Sequence, residues 1–369
     1  MLLSLGGRFL LEIKGDEENV QTLFSTKFRS AESSSEPDFV LECRDHINLK
    51  QKGILNEIFV KPFCITDGYE LAYVKGGKKL VIPFQDMGNP PSLEVKYERG
   101  FPPDWLRFIF DQIFGIHILK QGFSLLHAGA IVKDGMAILL PSWRFAGKTT
   151  IALSMLIYAN EAVQFIADDG SLVSETGTAE VYSDALHLDY THLRQFPMIK
   201  NPFSVWMTMR LYIKEQLTSS LLPKGRLMEY LSQGIAFLLC PGSKTYTKIH
   251  HALPDIIVSK EPRLIKRVCL LMMGNDVEKV SSKKIDAHDM VGRMTRAMLY
   301  ERKELMQLYY AYAYATGTQN QFIEKSQLIE SQVLTEAFKD AECLELKVPI
   351  VAKDKLNETL REIVSIAMA

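Results

Sequence analysis

An apolar strand that ends in a glycine-lysine-threonine loop and runs straight into a helix leaves a chain few local conformations to choose from. Met136 to Leu140 is such an apolar run, Ala146-Gly147-Lys148-Thr149-Thr150 follows it, and an amphipathic segment from Ile151 to Tyr158 comes next. Strand, tight loop and helix in that order are what a phosphate-binding loop requires. Backbone N–H groups at a helix start have no intrahelical partner, and the macrodipole adds about half a positive charge there. A polyphosphate is the natural occupant of such a place.

The loop reads Ser142-Trp143-Arg144-Phe145-Ala146-Gly147-Lys148-Thr149-Thr150. Lys148 is spaced to reach terminal phosphates, and the Thr149 hydroxyl to coordinate the magnesium (Mg2+) that bridges them. Against the pattern G-x-x-x-x-G-K-[ST], Ser142 holds the first glycine position, and Phe145 stands where glycine is common. Gly-Lys-Thr recurs by chance in many proteins, so a plain strand-to-helix turn competes with the functional reading until other residues are counted.

Two further features agree with it. The apolar run Val163-Gln164-Phe165-Ile166-Ala167 ends in Asp168-Asp169, just after the loop's helix. Paired carboxylates at a strand's end suit magnesium-nucleotide chemistry, Asp168 toward the metal and Asp169 as acceptor of a hydroxyl proton. Alone, Asp-Asp-Gly would be a solvated turn. His127, in Leu-His-Ala-Gly-Ala, precedes a hairpin turn at Lys133-Asp134-Gly135 whose return strand enters the loop. That path brings the imidazole near the phosphates, although a lone histidine in an apolar strand is usually a satisfied core residue.

His-Ala-Gly, hairpin, phosphate loop, helix and Ala-Asp-Asp in this order resemble the catalytic domain of HPr kinase/phosphorylase. They resemble more closely the HPr-kinase-related kinases found beside peptide-modification genes, including lasso-peptide kinases. The fold is shared more distantly with ATP-dependent phosphoenolpyruvate carboxykinase. Lys148 follows His127 by 21 residues, as in HPr kinases, whereas Asp169 lies slightly later than in those enzymes. A weaker likeness covers Cys343 to Pro349 and the final helix.

The resemblance implies an α/β fold, an HPr-kinase/PEP-carboxykinase-like P-loop core on a curved mixed sheet spanning 101–369; residues 1–100 read, from short strands and turns, as a small β-rich domain or an extension of that sheet. It implies a kinase that moves the terminal phosphoryl group of ATP or GTP to a hydroxyl, serine foremost, of a peptide or protein acceptor, as in peptide natural-product maturation. Asp169, His127 and Lys148 would be catalytic, residues 142–150 would hold the nucleotide, and Thr149 and Asp168 the metal. No counterpart of the glycine- and arginine-containing segment used in phosphorolysis is found, which favours a kinase-only relative. Two alternatives stay open. A small-molecule kinase for free serine or a sugar alcohol would use the same core, and a nucleotide-binding regulatory or scaffold protein would tolerate Ser142 and Phe145.

Composition narrows the rest. A hydrophobic content of 47% with 24% charged residues is ordinary for a globular chain. A formal net charge of −1 gives no reason to expect nucleic acid. Five scattered cysteines, never in C-x-x-C, read as reduced thiols. The start lacks a basic leader, and the apolar stretch from Trp105 to Leu126 carries Arg107, Asp111 and Lys120, so neither a signal peptide nor a membrane span is expected. A cytoplasmic location follows by exclusion, and homo-oligomerisation is left open.

Along the chain, strands are expected at Arg8–Ile13, Phe39–Cys43, Ile58–Val60, Glu70–Val74 and Lys79–Ile82, with Gly76-Gly77 as a hairpin turn. Asp104 is expected to cap a helix that buries Trp105, Phe108, Ile109, Ile113 and Ile116. Arg194 and Arg210 are the candidates for a phosphoryl clamp, and Lys224 and Arg226, before a helix at Leu227–Leu238, could face nucleotide or an acidic substrate. His250-His251 lacks a second ligand pair for a metal. Val268–Met273 reads as a buried strand, Ala287–Ala315 as one long helical region, and Lys355–Met368 as an amphipathic helix.

Overall fold

The computed structural model describes residues 1–15, 18–25, 28–32, 35–47, 51–56, 62–66, 71–89, 92–143, 147–159, 162–221, 245–274, 277–350 and 355–369, with backbone alone at 51–56, 62–66 and 217–221. The expected strand at Ile58–Val60, the turn carrying Lys224 and Arg226, and the helix at Leu227–Leu238 lie outside the described residues. What is described is a mixed α/β structure built on two open, mixed sheets, neither closed into a barrel.

The first sheet gathers β1 (Leu2–Leu5), β2 (Phe9–Lys14), β3 (Arg29–Ser30), β4 (Phe39–Arg44), β5 (Gln51–Asn56), β6 (Pro62–Thr66), β7 (Leu71–Lys75), β8 (Lys78–Ile82) and β9 (Leu93–Glu98) in the order β3-β1-β2-β4-β9-β8-β7-β6-β5. Four of the expected strands appear as β2, β4, β7 and β8, and Lys75 pairs with Lys78 across Gly76-Gly77. A short helix, α1 (Glu18–Ser25), lies between β2 and its parallel neighbour β4. Alternation drives the burial: in β2, Phe9, Leu11 and Ile13 point inward while their neighbours are partly exposed.

Helix α2 (Pro103–His117) covers this sheet. Asp104 does not cap it: the N-cap is Pro102, no side chain bonds the free N–H groups, and Asp104 sits in the first turn. Pro103 at the first helical position loses nothing by lacking an N–H. Ile109, Ile113 and Ile116 are buried as their spacing predicts, whereas Trp105 and Phe108 only border the core. Phe9, Phe24 and Phe39 make edge or tilted ring contacts with Phe110 and Phe114, at centroid separations of 5.0–5.8 Å.

The second sheet contains β10 (Phe123–Leu126), β11 (Ala128–Lys133), β12 (Met136–Pro141), β13 (Val163–Ala167), β14 (Ser171–Ser174), β15 (Thr178–Val181), β18 (Arg263–Gly274), β19 (Ser281–Lys284) and β20 (Glu342–Pro349); β16 (Ala185–His187) and β17 (Tyr246–Lys248) pair separately. Strand β11 runs antiparallel to β12 on one side and to β13 on the other. The β11–β12 turn is Asp134-Gly135, both at positive φ, the conformation of a two-residue hairpin. Because β11 is reversed relative to both neighbours, its start lies at the edge where β12 and β13 end. Ala128 pairs with Pro141, and Ala130 with Ala167. Helix α3 (Lys148–Tyr158) leaves this edge and buries Ile151, Ala152 and Met155 against the sheet.

Helices α4 (Tyr190–Gln195), α5 (Val205–Leu221) and α6 (Ile249–Ala252) follow, then α7 (Ala287–Glu301), α8 (Lys303–Thr316), α9 (Gln321–Glu324), α10 (Ser326–Phe338) and α11 (Leu356–Met368). The region expected as a single helix from Ala287 to Ala315 is two helices, broken at Arg302, whose φ of −91° and ψ of 5° leave the helical range. The Arg302 guanidinium is buried and donates to both Glu330 carboxylate oxygens, at 2.6 and 3.0 Å; Ser124 Oγ donates to the same carboxylate at 2.7 Å. Strand β18 buries Val268 to Leu271 as expected, but Met272 and Met273 emerge to solvent. Tyr309 and Tyr312 are core residues, while Tyr310 and Tyr314 are exposed, so this helix does show tyrosine on two faces.

The Arg302–Glu330 pair ties α10 to the break between α7 and α8. Truncating one partner strands a buried charge, so Glu330→Ala is expected to destabilise the protein by about 3–5 kcal/mol in denaturant titration. Glu336→Ala, which removes an exposed pair with Lys339, should cost under about 0.5 kcal/mol.

Candidate phosphate-binding site

At the shared edge of β11, β12 and β13 the chain places three segments side by side. His127 occupies the bend between β10 and β11, Gly147 opens α3, and Asp168-Asp169 leaves β13. Gly147 adopts φ 75°, a left-handed conformation that a side chain would strain. Gly129 is needed for a different reason: a Cβ there would meet the Asp168 carbonyl oxygen at 3.2 Å. Arg144, Phe145 and Ala146 lie outside the described residues.

Lys148 is almost buried, and its Nζ lies 2.7 Å from His127 Nε2 and 3.8 Å from Asp169 Oδ1. An ammonium only donates, so Nε2 accepts and the ring proton sits on Nδ1. Nδ1 then donates to the Asp169 carbonyl oxygen at 3.0 Å. His127, Lys148 and Asp169 therefore form one contact cluster.

The two carboxylates differ in setting. Asp169 is 46% exposed, and the Tyr246 hydroxyl donates to its Oδ2 at 3.5 Å. Asp168 is 1% exposed; its Oδ2 accepts the His187 N–H at 2.9 Å, and its Oδ1 is buried with no hydrogen-bond partner. Burial, and then the charge of Asp169, push the Asp168 carboxyl up to about 6, against opposing pulls from the His187 N–H and the Thr149 side chain. A buried carboxylate oxygen without a donor, beside a threonine hydroxyl, fits a hard cation. Among the described residues no three His, Cys, Asp or Glu side chains cluster to hold a metal by themselves, and the His250 and His251 rings meet edge to face.

A cleft of about 750 Å³ opens in front of this cluster, lined by His127, Gly147, Lys148, Thr149, Thr150 and Asp169 on one side. Ser142 and Trp143 do not line it. Ser142 is buried and bridges to Leu271, while Trp143 is 53% exposed and stacks on Tyr300 at 4.7 Å. Thr150 Oγ1 lies 3.1 Å from His192 Nε2, and Asp189 Oδ1 is 2.9 Å from Nδ1 of the same ring. Asp189 caps α4 by accepting the His192 N–H. Burial raises the Asp189 carboxyl, but the His192 side chain and N–H outweigh it and bring it to about 2.

The cleft is also lined by residues that local pattern did not single out. Arg107 and Asp111 come from α2, Tyr246 from β17 and His187 from β16. Arg107 donates to Asp111 Oδ2 at 2.9 Å, and its Cζ lies 5.3 Å from the Tyr246 ring centroid. The two arginines expected to clamp phosphate are not in the cleft. Arg194 pairs with Glu215 at 3.1 Å, and Arg210 stacks over Trp206. Only the Asp189-to-His192 interval carried a local signal, that of a helix cap. Arg107 and Tyr246 reach the cleft from far along the chain.

The chain matches no family model, and no curated protein matches it. Among the described residues, no helix is long and apolar enough to cross a membrane.

The raised Asp168 has a consequence for stability. Its folded pKa of about 6 exceeds the ordinary 3.8, so the folded state holds a proton that the unfolded chain releases, and stability falls as pH rises from 4 to 7. His117 and His187, held down near 4 by burial, act in the opposite sense over the same window. Subtracting the Asp168→Asn profile isolates the carboxyl. Wild type should lose up to about 3 kcal/mol relative to Asp168→Asn between those limits, read by chemical denaturation at a series of pH values.

Proposed function

We propose that the protein is a phosphotransferase of the HPr-kinase-like P-loop type, using ATP or GTP with magnesium to phosphorylate a hydroxyl, serine foremost, of a peptide or protein. The observation that carries it is the convergence of Lys148, His127 and Asp169 at the opening of α3, within 2.7–3.8 Å of one another, beside the buried Asp168.

In this reading the α3 N-terminus and Lys148 bind the nucleotide's terminal phosphates. Thr149 and Asp168 would hold the magnesium, directly or through water; bound there, it would neutralise charge on the phosphates. His127, neutral and carrying its proton on Nδ1, positions the Lys148 ammonium. Asp169 faces the cleft and accepts the proton of the acceptor hydroxyl as its oxygen bonds to the γ-phosphorus. The bond from that phosphorus to the bridging oxygen breaks, and the nucleoside diphosphate leaves with the electron pair.

Asp169→Asn should reduce phosphoryl transfer by about 10²–10⁴-fold while sparing nucleotide binding, and Lys148→Ala should weaken MgATP binding about tenfold or more. Calorimetry with MgATP, and mass spectrometry of candidate peptides incubated with it, read the two effects. Tight MgATP binding with no acceptor phosphorylated, whether peptide, free serine or sugar alcohol, would favour a regulatory nucleotide-binding protein instead.

A further inference from the structure

We infer that Arg107 is a catalytic residue for the transfer proposed above, its guanidinium contacting the moving phosphoryl group in the cleft that Lys148 also lines. The inference rests on that nucleotide-binding reading and adds a participant from a different part of the chain.

Four observations carry it. Arg107 lines the cleft that also contains Lys148 and Asp169. A guanidinium has five N–H donors, yet among the described residues Asp111 is the one hydrogen-bond partner of this one, and Nε is buried with none. Its acceptor is fixed in place, since the Tyr182 hydroxyl donates to the other Asp111 oxygen at 2.8 Å. Tyr246 connects Arg107 to Asp169, with its ring 5.3 Å from the Arg107 Cζ and its hydroxyl 3.5 Å from Asp169 Oδ2. The other arginines near the cleft are committed. Arg302 donates twice to the Glu330 carboxylate and once to the Gly115 carbonyl, and Arg194 is held by Glu215.

Phosphoryl transfer spreads negative charge over three equatorial oxygens. The α3 N-terminus and Lys148 meet that charge from the nucleotide side. A planar, always-charged fork on the acceptor side binds the remaining oxygens in a way a lysine does not. Arg107 keeps all its protons throughout; it donates hydrogen bonds as the acceptor O–P bond forms and the bridging P–O bond breaks, with the hydroxyl proton passing to Asp169.

The test requires no acceptor. Full-length wild type, Arg107→Gln and Arg107→Lys are titrated with MgADP alone and with MgADP plus beryllium fluoride, a phosphoryl-shaped anion, after thermal unfolding establishes that each variant is folded. Wild type should bind the fluoride complex about tenfold or more tighter than MgADP. Arg107→Gln should keep its MgADP affinity and lose that gain, and Arg107→Lys, which stays charged and within reach of Asp111, should recover part of it. A gain absent in wild type, or undiminished in Arg107→Gln, overturns the inference. So does an equal weakening of both complexes in Arg107→Gln, the mark of a structural role. Failure of wild type to bind MgADP at all would instead remove the nucleotide reading and this inference with it.

Discussion

The site depends on one strand running against both of its neighbours. With β11 antiparallel to β12 and to β13, the residue that enters β11 must meet the residues that leave the other two. His127, Lys148 and Asp168-Asp169 are separated in sequence by about twenty residues each, yet this register brings them to a single edge. A one-residue slip would turn every side chain of a strand to the opposite face. Burial prevents that: Ile131, Ile138, Leu140 and Phe165 face α3, while Ala128, Ala130, Leu139 and Ile166 face α7 and α10. Both faces are covered, so the core that stabilises the sheet also fixes where the reactive groups stand.

That edge holds groups whose environments push them apart. Asp169 meets solvent, Lys148 and Tyr246, whereas Asp168 is buried with one oxygen satisfied by a backbone N–H and the other by nothing. A buried carboxylate left half-satisfied costs stability. Such a cost is usual where a charge or metal is to be received. His127 belongs to the same logic. Accepting from Lys148 on one side and donating to the Asp169 carbonyl on the other, it joins two segments of the edge by a chain of hydrogen bonds.

How much of this was legible in the sequence depended on how local the signal was. The helix that starts at Lys148, the Asp-Asp at a strand end and the Asp134-Gly135 hairpin are each set by a few adjacent residues, and all three were readable. The break at Arg302 was not, because the heptad-like pattern runs on through it. The residue at the break is tied to a buried carboxylate on α10, a tertiary partner that no local rule sees. The same holds for the clamp. Arg194 and Arg210 follow the loop in sequence, which made them candidates, but each is held by a partner of its own, Glu215 and Trp206. Arg107, forty-one residues ahead of Lys148, lay in a stretch whose apolar stripe marked it only as a core helix. Strand β9 was readable and overlooked: Leu93-Glu94-Val95-Lys96-Tyr97 alternates cleanly.

Helix α2 gives the first sheet a part in the site. One face of α2 buries Ile109, Phe110, Ile113 and Phe114 among Phe9, Phe24 and Phe39 of the N-terminal segment, while Arg107, Asp111 and Gln112 line the cleft. Tyr182 joins the two roles in one residue, since its ring stacks on Phe114 at 5.1 Å and its hydroxyl holds Asp111. Arg8 and Arg29 add ion pairs to Glu180 and Asp184, on either side of Tyr182. The aromatic core beneath α2 thus sets the position of the cleft's second wall, just as the β11 register sets the first. A sheet of this kind need not touch substrate to matter for chemistry. Ring contacts between α2 and that sheet limit how far the Arg107 guanidinium can move, and in the phosphoryl transfer proposed for this site, a reaction governed by positioning, that constraint would itself be functional.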